Sequence, residues 1–195
     1  MENIFEIAAA NQQRAREVIR DSGLEAAWRS VGAEPNLVGS LRTGLLMTHH
    51  DIDFHIYSSP LRLADSFAAM ARLAENSRIR SITFNNLLDA PDQCLEWHAW
   101  YADADDQLWQ IDMIHMPRGS AYDGYFERVA DRIAAVLTDR TRETILRLKY
   151  ETPEAEKIMG IEYYQAVLRD GVGTYTEFEA WRAAHPVTGI LEWMP

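Results

Sequence analysis

The segment "VGSLRTGLLMTHHDIDFHIYSS" places two aspartates inside what otherwise reads as an apolar β-strand. Alternate side chains of a strand share one face, so Asp51, Asp53 and His55 project one way and the apolar residues between them project the other. The two carboxylates then lie about 7 Å apart along the strand. Two anions this close repel each other and are costly to bury unpaired. A divalent cation that prefers oxygen ligands, such as Mg²⁺, is the expected partner.

A Gly-Ser pair precedes this strand in the sequence. Gly39 is predicted to end a short strand, where the missing side chain lets a phosphate approach the backbone. Ser40 offers a hydroxyl and an N–H group, and a short helix starting at "SLRTG" would add further free N–H groups. A Gly-Ser turn beside paired carboxylates predicts a site for a metal-bound nucleoside triphosphate.

The rest of the chain indicates a mixed fold. The hairpin is the clearest element, because two runs rich in Trp, Tyr, Ile and Leu flank a polar turn at 103–107 in "CLEWHAWYADADDQLWQIDMIHM". Strands are also predicted at "NLVGS", 51–57 and "RSITF", with a turn at 34–36. Helices are predicted at 4–21, from Leu24 to Val31, along "SSPLRLADSFAAMARLAEN" with Pro60 near the first helical position, and at 123–138, 140–150, 153–170 and 174–184. We expect an α/β or α+β sheet flanked by helices, divided into a core at 1–120 and a helical part at 121–195 that closes a cleft.

The order of the pieces "VGS", "DIDF" and "QIDMI" resembles the nucleotidyltransferase superfamily that includes DNA polymerase beta. The likeness is to small stand-alone bacterial members, including antibiotic-modifying enzymes, and it covers roughly residues 36–116. It implies the nucleotidyltransferase fold. It also implies that Gly39 and Ser40 hold a triphosphate, and that Asp51, Asp53 and Asp112 ligate two Mg²⁺ ions. The implied reaction transfers a nucleoside monophosphate from a triphosphate to a hydroxyl group, with Asp112 helping to deprotonate that hydroxyl.

Several further residues are candidates for the site, although each could also be an ordinary surface or loop residue. Arg42 is either a surface arginine or a phosphate contact, since guanidinium suits phosphate. Lys157 is one of only two lysines and is predicted to contact the triphosphate. Glu96 is a reserve carboxylate, because the hairpin register would put either Glu96 or Trp97 opposite Asp112. The pair His49-His50 is predicted to lie in a solvated loop or to contact the substrate, in preference to ligating a metal.

The net charge of the chain bears on which class of acceptor molecule it could use. The formal net charge is −11, which disfavours nucleic acid as the acceptor because phosphate-backbone binding rests on cationic contacts. We therefore expect a small-molecule or protein acceptor. The single cysteine, Cys94, excludes an internal disulfide, and with no apolar membrane span or secretory signal expected, the predicted location is the cytoplasm.

Two alternatives remain open from the sequence. One is a non-catalytic module that binds nucleotide or acts in a toxin–antitoxin-type interaction. The other is a pyrophosphoryl transferase, which uses similar carboxylates but attacks a different phosphorus. Neither the base, the acceptor nor the oligomeric state is specified by the sequence.

Overall fold

A computed structural model describes residues 3–187, 189 and 191–195 of the chain. Residues 1 and 2 of the predicted core, and residues 188 and 190 of the predicted helical part, lie outside this description. Among the described residues, no helix has the length and apolar character needed to cross a lipid bilayer.

A five-stranded mixed sheet forms the centre of the fold. Its strands are β1 (Glu34–Leu37), β2 (Asp51–Ser58), β3 (Ile79–Leu87), β4 (Cys94–Ala102) and β5 (Leu108–Pro117). Their order across the sheet is β1-β2-β5-β4-β3. Strands β2 and β5 run parallel to each other, and the other neighbouring pairs are antiparallel.

Helices flank the sheet and fill the C-terminal third. They are α1 (Ile4–Ser22), α2 (Leu24–Arg29), α3 (Gly39–Thr43), α4 (Leu63–Ala74), α5 (Tyr125–Val136), α6 (Asp139–Glu151), α7 (Gly160–Tyr164) and α8 (Tyr175–Ala184), with a π-helical turn at Gln165–Arg169. The sequence supplies clear start signals for two of them. The side chains of Thr138 and Thr174 each accept a hydrogen bond from the backbone N–H three residues later, which caps α6 and α8.

Two apolar cores support the fold. The first packs one face of the sheet against α2, α4 and the C-terminal half of α1, and the second lies among α5, α6, α7 and α8. Helix α1 joins them, since Ala15 and Val18 belong to the first core and Ile4 and Ala8 to the second. The division at residue 120 stays a prediction.

Four local predictions are corrected by the structure. Residues 34–36 are not a turn but part of β1, an edge strand on which Pro35 can sit because a free edge needs no N–H donor there. That strand ends at Leu37, so Gly39 opens α3 and does not end a strand. Helix α4 begins at Leu63, after Pro60 and after an extended Arg62. The helix predicted at 153–170 begins only at Gly160 and continues as the π-helical turn.

The hairpin is confirmed, and its turn has a defined anchor. The carboxylate of Asp103 accepts hydrogen bonds from the backbone N–H groups of Asp105 and Gln107 and from the indole of Trp109. The turn joins β4 and β5, and in the register of these two strands His98 lies opposite Asp112. The prediction that Glu96 or Trp97 would take that place is wrong.

Candidate active site

The three predicted carboxylates meet on one face of the sheet. Parallel pairing of β2 and β5 places Asp53 directly opposite Asp112, and Asp51 opposite Gln110. Because side chains alternate along a strand, Ile52, Ile111 and Met113 point to the other face, where all three are fully buried. The apolar face therefore packs the strands against the helices, and the carboxylates lie on the face that looks into a cavity.

Gly39 gives Asp53 the room it needs. Its φ of +64° is a left-handed conformation that glycine adopts without strain. A Cβ at this position would overlap the carboxylate of Asp53. The backbone N–H of Ser40 donates a hydrogen bond to the same carboxylate, and the N–H of Val38 donates to the Asp53 carbonyl at 2.9 Å. The Gly-Ser pair is thus built around the second aspartate.

Asp51 and Asp53 hold their protons more tightly than free aspartate, so the pKa of each is raised. Burial, together with the charges of Asp51 and Asp112, raises the pKa of Asp53 to about 7. Burial also raises the pKa of Asp51, against the opposing charges of Lys149 and His49. Crowded anions with raised pKa values are stabilised when a cation joins them, because the cation favours the ionised form.

Lys149, on α6, supplies a positive charge at this site. Its ammonium donates to Ser40 Oγ at 2.7 Å and to the Leu45 carbonyl at 3.1 Å, and the side chain is buried. The same ammonium lies 5.5 Å from the ring centroid of Tyr164, whose hydroxyl is 3.3 Å from Ser40 Oγ. A buried lysine against a serine hydroxyl is suited to a phosphate oxygen.

A histidine bridges two carboxylates beside Asp53. His98 Nδ1 lies 2.6 Å from Asp112 Oδ1, and His98 Nε2 lies 2.8 Å from Glu96 Oε1. Burial opposes the charged imidazole, but the hydrogen bonds and charges of Asp112 and Glu96 outweigh it, so the pKa of His98 is raised. Gln110 also donates to Asp112 Oδ1, at 2.8 Å. His98 and Gln110 together hold the third carboxylate in one orientation.

These groups line one cavity of about 700 Å³. Its sheet side carries the carboxylates and His98, and its helical side carries apolar residues of α5 and the segment from Ile158 to Tyr164. His49, His50 and Lys157 also line it, and Lys157 is exposed. A cavity of this size is in the range of small-ligand sites.

Arg42 is the predicted candidate that lies outside the cavity lining, whereas the reserve carboxylate Glu96 is part of it. Arg42 is not among the cavity-lining residues, because its guanidinium forms two hydrogen bonds to Asp131, each 2.8 Å, and a third to the Leu37 carbonyl. Those bonds commit it to joining α3 to α5, so the structure does not support a phosphate contact for Arg42. Cys94 is a buried free cysteine at the start of β4.

Sequence reasoning missed two residues of the site. Lys149 was passed over in favour of Lys157, although it follows Ile145 and Leu146 by four and three residues on the buried side of α6. A lysine on an apolar helix stripe was the available signal. His98 was missed because the hairpin register was not known, although it shares a strand face with Glu96.

The donor set fits Mg²⁺ as an open site. Three carboxylates on adjacent strands offer the oxygen ligands that Mg²⁺ prefers, and the Asp53 carboxylate fills the space that a side chain at Gly39 would take. Among the described residues, however, no group of three or more His, Cys, Asp or Glu side chains is arranged to hold a metal ion by itself. Mg²⁺ usually keeps water and substrate phosphates as ligands, so an open arrangement suits an ion that arrives with a nucleotide.

Comparison with known proteins shows similarity at the level of structure. No protein-family model matches the sequence, and no curated protein matches it. Solved structures that match include a cytoplasmic RNA terminal U-transferase, with a TM-score of 0.56 and 14% identity over 85% of this chain and 51% of that one. Cid1 in complex with its short product ApU matches with a TM-score of 0.57 and 13% identity, over 85% and 52% of the two chains. Cid1 bound to the UTP analogue UMPNPP matches with a TM-score of 0.55 and 13% identity, again over 85% and 52%.

The chain spans about half the length of the structures it matches. Identity this low shows the fold alone. The activities of the longer proteins are not transferred to this chain by the comparison. The small mixed sheet with flanking helices that was predicted from the sequence is confirmed. The structure gives it five strands, and the chain has the nucleotidyltransferase fold.

Proposed function

We propose that the protein is a Mg²⁺-dependent nucleotidyltransferase that moves a nucleoside monophosphate from a nucleoside triphosphate to a hydroxyl group. The observation that carries the proposal is the row formed by Asp53 and Asp112 on paired parallel strands, with Asp51 beside it and the Ser40–Lys149 pair in the same cavity. A protein that only bound nucleotide would have no need of a third carboxylate beside the first two.

The donor triphosphate is held at the Ser40 end of the cavity. The Lys149 ammonium and the Ser40 hydroxyl lie 2.7 Å apart and offer a charge and a hydrogen bond to phosphate oxygens. Lys157, exposed at the same cavity, adds a second positive charge for the triphosphate. Burial of Lys149 strengthens its interaction with a phosphate, since little water screens it there.

Asp51, Asp53 and Asp112 would hold two Mg²⁺ ions. When bound, these ions supply charge that activates the attacking hydroxyl and stabilises the leaving pyrophosphate. Asp112 accepts the proton of the acceptor hydroxyl, and its Oδ2 is the oxygen not engaged by His98 or Gln110 in the hydrogen bonds described above. His98 acts as a positioning residue that fixes the orientation of Asp112.

The acceptor has two candidate classes. The net charge of −11 and the carboxylate-lined face favour a small molecule or a protein side chain, since a phosphate backbone would be repelled. The structural likeness to an RNA terminal U-transferase favours the 3′-hydroxyl of RNA, and it gives no support to the expectation that nucleic acid is disfavoured.

A labelling experiment tests both the reaction and the acceptor. Each of the four nucleoside triphosphates, labelled at the α-phosphorus, is incubated with Mg²⁺ and with either a short single-stranded RNA or a set of hydroxyl-bearing small molecules and proteins. We expect the label to enter an acceptor covalently, with release of pyrophosphate, and the Asp53→Asn protein to transfer none.

Other outcomes identify the alternatives. Transfer of a β,γ-labelled pyrophosphoryl group with release of a nucleoside monophosphate would make the protein a pyrophosphoryl transferase. Mg²⁺-dependent binding of triphosphate without any turnover, across both acceptor classes, would favour a binding module.

A further inference from the structure

His55 is a buried histidine of the cavity whose ring nitrogen the fold leaves unpaired. Among the described residues, no hydrogen-bond partner reaches its Nδ1. His115 shows the contrast, because its two nitrogens contact Ser58 Oγ at 2.7 Å and Ser66 Oγ at 3.1 Å. A buried polar atom without a partner costs free energy, so a ligand that pairs with the imidazole recovers that loss.

Two aromatic neighbours pack against this ring. It meets Phe126 edge-on, with ring centroids 4.9 Å apart, and Tyr57 at 6.4 Å. No hydrogen bond to Nδ1 resists a turn about the Cβ–Cγ bond, so the polar edge of the imidazole can be presented to a ligand in the cavity.

The position of His55 links it to the carboxylates. It follows Asp53 by two residues, on the same face of β2, and so lies about 7 Å further along the strand. Across the sheet, His55 pairs with Ile114 of β5, and Ile114 pairs with Glu96 of β4. All three line the cavity. They form the next row of side chains beyond Asp53, Asp112 and His98.

Helix α5 supplies the opposite wall of this part of the cavity. Phe126, Val129, Ala130 and Ile133 all line it, and none of them carries a hydrogen-bonding side chain. On the α5 side the region therefore has apolar walls and one aromatic face, and the sheet side carries the imidazole of His55 and the carboxylate of Glu96. Walls of this kind bind a flat apolar body and use a few polar groups to orient it.

The charges near this region disfavour a phosphate there. The ammonium of Lys149 is already engaged with Ser40 Oγ and the Leu45 carbonyl. Glu96 is the charged side chain in the row of His55. The carboxylate of Glu96 would repel an anionic ligand group, but it would not repel an uncharged ring.

We propose that His55, Ile114 and Phe126 form a subsite for an uncharged heteroaromatic ring, with the imidazole of His55 hydrogen-bonded to the polar edge of that ring. The subsite rests on the proposed function, since the ring belongs to a reactant beside the carboxylates. That ring is either the base of the donor nucleotide or part of a heteroaromatic acceptor, and the two sources share the chemistry named here.

Histidine-labelled protein provides a direct test without turnover. Long-range ¹H–¹⁵N spectra report the imidazole nitrogens of the six histidines, and the His55→Phe variant identifies the resonances of His55. The probes are Mg²⁺ complexes of triphosphate analogues with each of the four bases and an unreactive α,β linkage, tripolyphosphate as the phosphate part alone, and indole-3-ethanol as a heteroaromatic alcohol. We expect the His55 nitrogens to shift with at least one ring-bearing probe and not with tripolyphosphate.

Variants show which source supplies the ring. His55→Phe keeps the ring shape and removes both nitrogens, and Phe126→Leu removes the aromatic wall. If the source is the donor base, both variants weaken analogue binding in calorimetry by about tenfold or more and flatten the preference among bases, while the tripolyphosphate affinity is unchanged. If the source is the acceptor, the same loss appears for indole-3-ethanol and the four analogue affinities stay equal to those of wild type. Phe67→Leu, the same chemical change at an exposed position outside the cavity lining, should alter neither.

The proposal is overturned if the His55 resonances move with no ring-bearing probe, or if tripolyphosphate affinity falls as much as analogue affinity in the variants. Should either variant fail to fold, single substitutions of the other five histidines assign the His55 resonances by elimination, and the wild-type spectra still decide. Turnover in the labelling experiment together with unmoved His55 resonances would contradict the subsite and support the proposed function. A ring-dependent shift of the His55 resonances without any turnover would support the subsite and contradict the proposed function.

Discussion

The two faces of strands β2 and β5 differ in almost every physical property, although they alternate residue by residue. On the core face, Ile52, Ile111 and Met113 are fully buried. On the cavity face, Asp51, Asp53 and Asp112 repel one another, and burial raises the pKa of the first two. The difference shows how an unfavourable cluster is maintained: the apolar face supplies the stability that holds the carboxylates in register.

Two histidines sharpen the same comparison. His115, on the core side of β5, has a pKa lowered to about 4 because burial disfavours its charge, against the opposing charge of Asp65. Both of its nitrogens contact serine hydroxyls. His98, on the cavity side of β4, is only partly buried and has a raised pKa, because its nitrogens meet two carboxylates. The two residues are of the same type, and their hydrogen-bond partners determine whether the imidazole is a neutral packing group or a partner of carboxylates.

The largest expected difference between the faces comes from neighbouring residues of β5. Asp112→Asn should lower turnover by about 10²- to 10⁴-fold and weaken triphosphate binding only slightly, because Asp51 and Asp53 remain. Ile111→Ala should do the opposite, lowering the free energy of unfolding by about 2–5 kcal/mol while the folded fraction stays active. Steady-state kinetics and denaturant unfolding of both variants measure the contrast.

Glu96→Gln serves as the control for the assignment of Asp112. Because Glu96 lies opposite Ile114 and contacts the site through His98, we expect turnover to change by about tenfold or less. A dead Glu96 variant beside an active Asp112 variant would exchange the two roles.

A smaller effect is expected from the two histidines. His98→Gln should reduce kcat by about 10- to 100-fold with little change in KM or in unfolding free energy, since it releases the orientation of Asp112. His115→Gln should leave kcat nearly unchanged and cost about 1–3 kcal/mol of stability, because buried hydroxyl partners lose their bonds. If both variants lose stability and neither loses kcat, His98 is a packing residue like His115 and the comparison fails.

The smallest effect concerns the pH dependence of stability without metal. A folded-state pKa of about 7 for Asp53, above the unfolded value near 4, means that the folded protein binds this proton more tightly. The free energy of unfolding contributed by Asp53 therefore falls as pH rises from about 4 to about 7, and then levels off. Asp53→Asn removes the contribution of Asp53 to this dependence and should be more stable than wild type above pH 7.

Pairing this variant with Asp51→Asn extends the test. The double variant should keep the fold and gain further stability in the absence of Mg²⁺, because it removes both repelling anions. Thermal melts across this pH range supply the measurement. A double variant that melts well below wild type without metal would make the two aspartates structural.

Local patterns in the sequence predicted a good part of this site. The alternation of "DIDFHI" placed Asp51 and Asp53 on one face, and the aromatic runs around the polar turn predicted the hairpin. The edge strand with Pro35 was misread, because a proline is tolerated on an edge and the position of a strand in a sheet is not a local property. The register of β4 was also out of reach, since a slip of one residue exchanges the two faces and the turn geometry determines it.

The sequence by itself determined which side chains share a face, because that depends only on the geometry of a strand. Only the tertiary structure decided that Asp112 lies opposite Asp53, and that Lys149 reaches Ser40 from 109 residues away in the chain. Such pairs form when the packing of whole elements repays the entropy of closing long loops, and no short segment of sequence records that balance.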